Sequence, residues 1–218
     1  MGSMDGKIRK KMDSFFLKFP QLKLQKGETI IEGDRDLSKA FYLKNGYVRA
    51  YTFSPQGVEI TLHVFAPGSY FPMMDTLAEI ENRYYYDALT PVELYSAPKE
   101  KVLKFLKQEP EVVLDLARRL LLGLDKLLMR LEYLAYGSAH ARVTSSLLFL
   151  ARHFSKEKNQ EAQIQYLFTH KDIASFAGIS RETASREVEK LVKKGLISYK
   201  KHLIRIKDIT LLKKQAIL

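Results

Sequence analysis

The chain has 218 residues, 46% of them hydrophobic and 28% charged, and carries a formal net charge of +11, the make-up of a globular protein of two modest domains. No stretch nears the roughly 18 consecutive apolar residues of a membrane-spanning helix, and the N-terminus lacks the apolar core of a signal peptide, so the cytoplasm is the expected compartment, with no membrane partner. There is no cysteine, which excludes thiolate-held iron–sulfur clusters, disulfide switches and sulfenic-acid sensing.

Met1-Gly2-Ser3 ahead of a second methionine reads as a leader left by cloning. Residues 5–20 predict a short amphipathic helix, because Ile8, Met12, Phe15, Phe16 and Phe19 share one side and Pro20 closes it. From Gln21 to about Pro98 the segments ETIIE, AFYLK, YVRAYTF, EITLHVF and VELYSA read as short strands. Gly33-Asp34, Asn45-Gly46, Pro55-Gln56-Gly57 and Pro67-Gly68 separate them, the rhythm of an antiparallel roll. Tyr70, Phe71, Arg83, Tyr84 and Tyr85 are candidates to line a pocket for a planar effector, with strand core as the competing reading of the aromatics. None of the five histidines, His63, His140, His153, His170 and His202, stands at metal-ligand spacing with carboxylates, so no metal is expected. His63, alone on a strand, reads as a packed or surface group before a haem ligand.

Pro110 opens a long helix. Val113, Ala117, Leu120, Leu124, Leu127, Leu131 and Leu134 step alternately by four and three, a heptad seam, while Leu114, Leu121 and Leu128 make a second stripe seven apart. The first stripe predicts a parallel two-fold coiled coil between two copies, and the second is assigned to the roll. A helix buried wholly in its own subunit is the alternative, but a chain this short has little else to cover two stripes. Tyr136-Gly137-Ser138 reads as a hinge, with Ser138 capping a helix that turns Val143, Leu147, Leu150 and Ala151 inward. Ser155 to Gln163 is polar and predicts an exposed linker.

The segment Phe168 to Ile197 predicts two helices joined by a tight turn. Thr169 can cap the first, with Asp172 completing a capping box, and Ile173, Ala174 and Ala177 give it a narrow apolar face. Gly178 ends it, Ile179 fills the corner and the Ser180 hydroxyl caps the second helix, which starts at Arg181. Ala184, Val188, Leu191 and Val192 mark its inward face; Arg181, Glu182, Ser185 and Arg186 lie opposite, and Glu182 can brace Arg186 four residues on. Arg forks onto guanine and Glu accepts from cytosine, so this polar face suits base edges in a major groove. Gly195 to Lys207 follows as a hairpin, LISY and LIRI joined by Lys200-Lys201-His202, a basic tip suited to phosphates. A helix-turn-helix followed by such a hairpin is a winged helix. Residues 138–218 hold 16 Lys and Arg against 7 Asp and Glu, a net of +9, whereas the rest of the chain carries +2. That bias is the footprint of a nucleic-acid face.

Here the chain resembles the family of the cyclic AMP receptor protein and the fumarate and nitrate reduction regulator. The carrying string is GISRETASREVEKL, in which the family's signature stands as Ser180, Arg181, Glu182, Thr183 and Arg186. Lys26-Gly27-Glu28, Gly33-Asp34, Tyr42-Leu43 through Gly46, and Pro67-Gly68 extend the likeness over nearly the whole chain. The resemblance implies an α+β protein in three parts: a jelly-roll-like antiparallel β-roll over residues 5–110, a dimerisation helix and hinge over 111–137, and a winged helix-turn-helix over 138–218. It implies a homodimer on palindromic DNA, contacted through Thr169, Ser180, Arg181, Glu182, Ser185, Arg186, Lys200, Lys201 and His202, with RNA polymerase as a further partner. Cyclic-nucleotide-binding members carry a Gly-Glu-Leu stretch after the Pro-Gly and then an Arg-Ser or Arg-Thr pair. Here Tyr70, Phe71, Pro72 and Met73 occupy the first, Tyr84 follows Arg83 in the second, and Leu127 and Leu128 replace the polar residues that reach the adenine. A site stripped of its polar partners leaves such a ligand unpaired, so cyclic AMP is disfavoured, no cofactor is expected and the effector stays unidentified.

An enzyme needs a nucleophile with a base, paired carboxylates or a phosphate-cradling glycine loop, and none appears at usable spacing. The other reading is a sensor of a non-nucleotide effector or haem whose winged helix contacts a protein. The basic bias and the Arg181, Glu182 and Arg186 face favour a homodimeric sequence-specific transcription regulator.

Overall fold

The Asp5 carboxylate accepts from the Lys7 amide at 2.7 Å and so caps the first helix, α1 (Gly6–Phe16). In this computed structural model residues 5–34, 37–158 and 161–216 are described, without the side chains of Lys126, 129–136 and 156–158. Met1-Gly2-Ser3 and the seam positions Leu131 and Leu134 lie outside the described residues or side chains. The chain divides into two compact units, Met1–Thr52 with Leu62–Leu127, and Phe53–Thr61 with Leu128–Leu218.

Between Gln21 and Pro98, β1 (Gln21–Leu24), β2 (Thr29–Ile31), β3 (Lys39–Asn45), β4 (Val48–Phe53), β5 (Glu59–Phe65), β6 (Tyr70–Phe71), β7 (Tyr85–Ala88) and β8 (Val92–Pro98) build two four-stranded sheets. Their orders are β1-β8-β3-β6 and β2-β7-β4-β5. The alternation of a strand's side chains sends Phe41, Leu43, Phe71 and Leu94 into the core between the sheets, with Ile31, Val48 and Tyr86 from the other sheet. Ala40, Tyr42, Tyr70 and Ala97 turn the other way, onto helices. Ile8, Met12 and Phe16 of α1, Val102 and Leu106 of α3 (Lys99–Gln108), and Val112 and Leu116 of α4 (Pro110–Tyr136) close that second core. Full burial of side chains such as Phe16, Phe71 and Leu94 contributes about 1.5–3 kcal/mol each. At the β3–β4 turn Gly46 has φ +84°, and a Cβ there would meet the Pro91 carbonyl oxygen at 2.2 Å, so only glycine fits.

The strand-rich roll is the fold expected, with two helices the sequence reading passed over: α2 (Met73–Ala78) and α3. One assignment changes. Leu114, Leu121 and Leu128 do not face the roll; they are exposed, Leu121 by 66%. Val112 and Leu116 take that role, and the Arg119 guanidinium meets Asp115 at 2.8 Å and donates to the Gly68 carbonyl at 3.3 Å. Val113, Ala117, Leu120, Leu124 and Leu127 of the heptad seam are exposed as well.

In the second unit, the Ser138 hydroxyl caps α5 (Ala139–Phe154), accepting from the Ala141 amide at 3.2 Å, and Val143, Leu147, Leu150 and Ala151 are buried. The polar stretch after it is not a linker. Ser155–Lys158 and Glu161–Ile164 are strands β9 and β10, and Ala162 and Ile164 point into the core. They extend β11 (Ile197–Lys200) and β12 (Leu203–Ile206) into one sheet ordered β11-β12-β10-β9. Helices α6 (His170–Ala177), α7 (Arg181–Lys193) and α8 (Ile209–Ala216) complete the unit.

Candidate nucleic-acid interface

Local chemistry forms each corner of the helix-turn-helix. The Thr169 hydroxyl accepts from the Asp172 amide at 3.2 Å while Asp172 Oδ2 accepts from the Thr169 amide at 2.8 Å, a closed capping box that starts α6. Gly178 takes φ +62° and ends it. One residue further, the Ile179 amide donates to the Ala174 carbonyl. Ser180 Oγ then accepts from the Thr183 amide at 3.2 Å and starts α7. Ala174 of α6 and Ala184 of α7 are both buried, and the two helices pack on one another.

On α7 the buried residues are Ala184, Glu187, Val188 and Leu191. Val192, expected among them, is 38% exposed, because α7 turns that position past the core edge. Arg181, Glu182 and Arg186 are exposed and Ser185 half-buried, on the face opposite Ala184 and Val188. The brace on Arg186 is not Glu182. Its Nη2 donates instead to Thr183 Oγ1 at 3.3 Å, and Ser185 Oγ donates to Glu189 at 3.4 Å. The unpaired amides of the first turn of α7 add a partial positive charge beside Arg181.

Lys201 and His202 carry φ of +52° and +63° at the β11–β12 tip, the left-handed pair of a two-residue hairpin turn. This geometry holds Lys200, Lys201 and His202 exposed at the end of the wing. Thr169 and Ser180 are exposed too, so all nine predicted contact residues reach solvent wholly or in part.

Three further groups join them that sequence reasoning left out. Leu167, Phe168, Thr169, His170, Lys171, Arg181 and Tyr199 line an open cavity of about 580 Å³. His170 Nε2 lies 3.2 Å from the Tyr199 hydroxyl, whose phenol burial pushes up in pKa, so it stays a neutral hydrogen-bonding group. His170 and Lys171 follow the Thr169 cap directly, the one sequence signal that could have pointed to them.

The five effector-pocket candidates divide between core and surface. Tyr70 belongs to the core under the helices and Phe71 to the core between the sheets, since neighbours on a strand face opposite ways. Arg83 is exposed, while Tyr84 and Tyr85 are half-buried. The Tyr70 ring lies under the Arg119 guanidinium at 5.2 Å, and burial pushes its phenol up to about 12. Among the described residues no helix is long and apolar enough to cross a membrane.

A model of the Crp-like helix-turn-helix domain matches residues 141–215, and one of the cyclic nucleotide-binding domain matches residues 21–109. The global nitrogen regulator of Nostoc sp. is 30% identical over 190 residues, 86% of this chain and 85% of its own. The cyclic AMP receptor protein of Thermus thermophilus is 30% identical over 182 residues, 83% of this chain and 81% of its own. A solved transcriptional regulator of the CRP/FNR family from Thermus thermophilus matches with a TM-score of 0.72 at 27% identity, covering 90% of this chain and 98% of that one. With a capped helix-turn-helix on a basic unit and relatives aligned along most of their length, the chain belongs to the Crp/Fnr family of transcription regulators, which bind DNA through this domain and are not enzymes.

Proposed function

We propose that this regulator acts as a homodimer in the cytoplasm, reading palindromic DNA without a cyclic nucleotide. Its parts are a roll over 5–110, a dimerisation helix and hinge over 111–137, and a winged helix-turn-helix over 138–218. Arg181, Glu182, Ser185 and Arg186 reach base edges from α7, with half-sites of the family's TGTGA or TTGA type about one helical turn apart. Thr169, Ser180, Lys200, Lys201 and His202 reach phosphates. The observation that carries the reading is that Arg181, Glu182 and Arg186 stand exposed on one face of α7 while Ala184, Val188 and Leu191 anchor the other. An electrophoretic shift against excess competitor DNA tests it: retention on a selected palindrome and not on a scrambled one is the expected result.

Dimerisation is supported by α4. Its heptad seam leaves Val113, Leu120, Leu124 and Leu127 open to solvent in the single chain, a row that a second copy would cover. RNA polymerase is the further partner that family membership suggests.

Independence from cyclic AMP is supported by the roll. Tyr70 and Phe71, where the nucleotide-binding members have their Gly-Glu-Leu, are committed to two packed cores, and Leu127 offers an adenine no hydrogen bond. The effector, if another fills this role, is of a different chemical class.

A further inference from the structure

On the inner side of α7, one residue after Arg186, stands Glu187, a carboxylate only 8% exposed. A buried acid on the core face of a reading helix calls for a reason, since a charge buried without partners is strongly disfavoured. It has two partners, one of which reaches on to a third helix. His140 Nδ1, at the start of α5, lies 3.0 Å from Oε2, and Lys190 Nζ lies 2.6 Å from Oε1. The other ring nitrogen, Nε2, lies 3.4 Å from Gln215 Oε1 on α8. Lys194, just past α7, donates to the same Gln215 oxygen at 3.1 Å.

Those contacts settle the roles. An ammonium only donates, so Lys194 fixes the Gln215 atom as the amide oxygen, an acceptor. His140 therefore sits between two acceptors, a carboxylate and a carbonyl. Neutral imidazole has one N–H to give, whereas imidazolium has two. Only the protonated ring joins α5, α7 and α8 at once. Glu187 fits this scheme: burial pushes its carboxyl up, but the hydrogen bonds from Lys190 and His140 outweigh burial and hold it below the ordinary carboxylate value.

We infer that His140 and Glu187 are positioning residues for DNA reading: the imidazolium clamps the recognition helix to α5 and α8, so that affinity for DNA weakens as His140 loses its proton. The inference rests on α7 being the reading helix. Arg186 adjoins Glu187, and a reading side chain misplaced by about 1 Å loses much of its contact. The charged groups facing the ring are Glu187 and, behind it, Lys190 from α7, with Lys194 through Gln215 of α8; Arg142 of α5 itself turns to the Gly137 carbonyl. The sign follows from the two acceptors: the clamp is complete while the ring holds both protons and is lost as rising pH removes one.

The test is DNA affinity of the full-length protein at fixed salt from about pH 5.5 to about pH 8.5. Because His170 and His202 also stand at the DNA face, wild type, His140→Gln and Glu187→Gln are compared in one background with those two replaced by Gln. Wild type in that background should lose roughly three- to tenfold across the range. Glu187→Gln can donate its amide N–H to Nδ1 and leave the neutral ring's one N–H for Gln215, so it should bind with a flat profile, and His140→Gln should also be flat. Nitrogen NMR of the His140 ring over the same pH range gives a second reading, with the loss of DNA affinity expected to follow the loss of the ring's second proton. Equal slopes in all three proteins, or a DNA affinity that does not follow the His140 ring proton, overturn the clamp. Absence of any DNA binding by wild type would instead sink the reading of α7 on which the clamp rests, and the clamp with it.

Discussion

Arg186 Nη2 donates to Thr183 Oγ1 at 3.3 Å, one turn back along the recognition helix. Thr183 in turn is held by Ser180, whose hydroxyl lies 3.0 Å from Thr183 Oγ1 and caps the same helix. The cap that starts α7 thus also aims its central arginine. Arg186→Ala should cost about 1–3 kcal/mol on the cognate site and relax preference at one guanine. Lys201→Ala should weaken all sequences alike and lower the slope of log affinity against log salt by about one unit. Selection of binding sites from a random pool, with affinities at several salt concentrations, separates the two; an unchanged consensus for Arg186→Ala would remove the contact assignment.

The seam on α4 predicts assembly. Leu124 is 51% exposed in the single chain, so Leu124→Asp leaves the fold intact and places a charge against its symmetry mate. Light scattering of Leu120→Asp/Leu124→Asp should report a monomer with far-UV circular dichroism unchanged. A persistent dimer would move the interface elsewhere.

Cyclic AMP and cyclic GMP should leave DNA affinity unchanged. A ligand shifts a conformational equilibrium only by its preference for one state. DNA binding by ligand-stripped protein, with and without each nucleotide at fixed salt, decides the matter: a tenfold tightening would mean about 1.4 kcal/mol of coupling and would reverse the reading.

Gly46→Ala should destabilise the roll by about 2–4 kcal/mol, since the new methyl meets the Pro91 carbonyl in a left-handed backbone. Thr169→Ala, which opens the capping box of α6, should cost about 1 kcal/mol. Chemical denaturation of both variants ranks them; a Gly46→Ala protein as stable as wild type would mean the β3–β4 turn relaxes freely.

Asp13 of α1 gives a pH dependence. Burial raises its carboxyl, but hydrogen bonds from Lys44 at 2.8 Å and the Tyr42 hydroxyl at 2.9 Å prevail and lower it below the ordinary 3.8. A depressed folded value stabilises above the unfolded one and is lost as pH falls through it. Wild type should therefore exceed Asp13→Asn in thermal stability at neutral pH, with the gap closing below about pH 3.8. A gap that is constant down to about pH 2 would assign the difference to packing.

What could be read from the sequence is what short-range chemistry decides. Thr169 with Asp172, Gly178, and Ser180 with Thr183 act over two or three residues, so the helix-turn-helix and its exposed arginines follow from local order alone. The same holds for the alternating strands of the roll and for Lys201-His202 at the wing tip. Tertiary structure decided which residues meet across long separations. Leu114 and Leu121 looked as suited to the roll as Val112 and Leu116, because periodicity sets the spacing of a stripe but not its phase against a sheet. Ser155 to Gln163 reads as polar, and becomes strand only because β12 offers β10 a ladder of unpaired backbone groups. Glu187 and His140 are 47 positions apart. Nothing near either in the chain signals the other, and only the packing of α5 against α7 brings the acid and the ring within hydrogen-bonding distance.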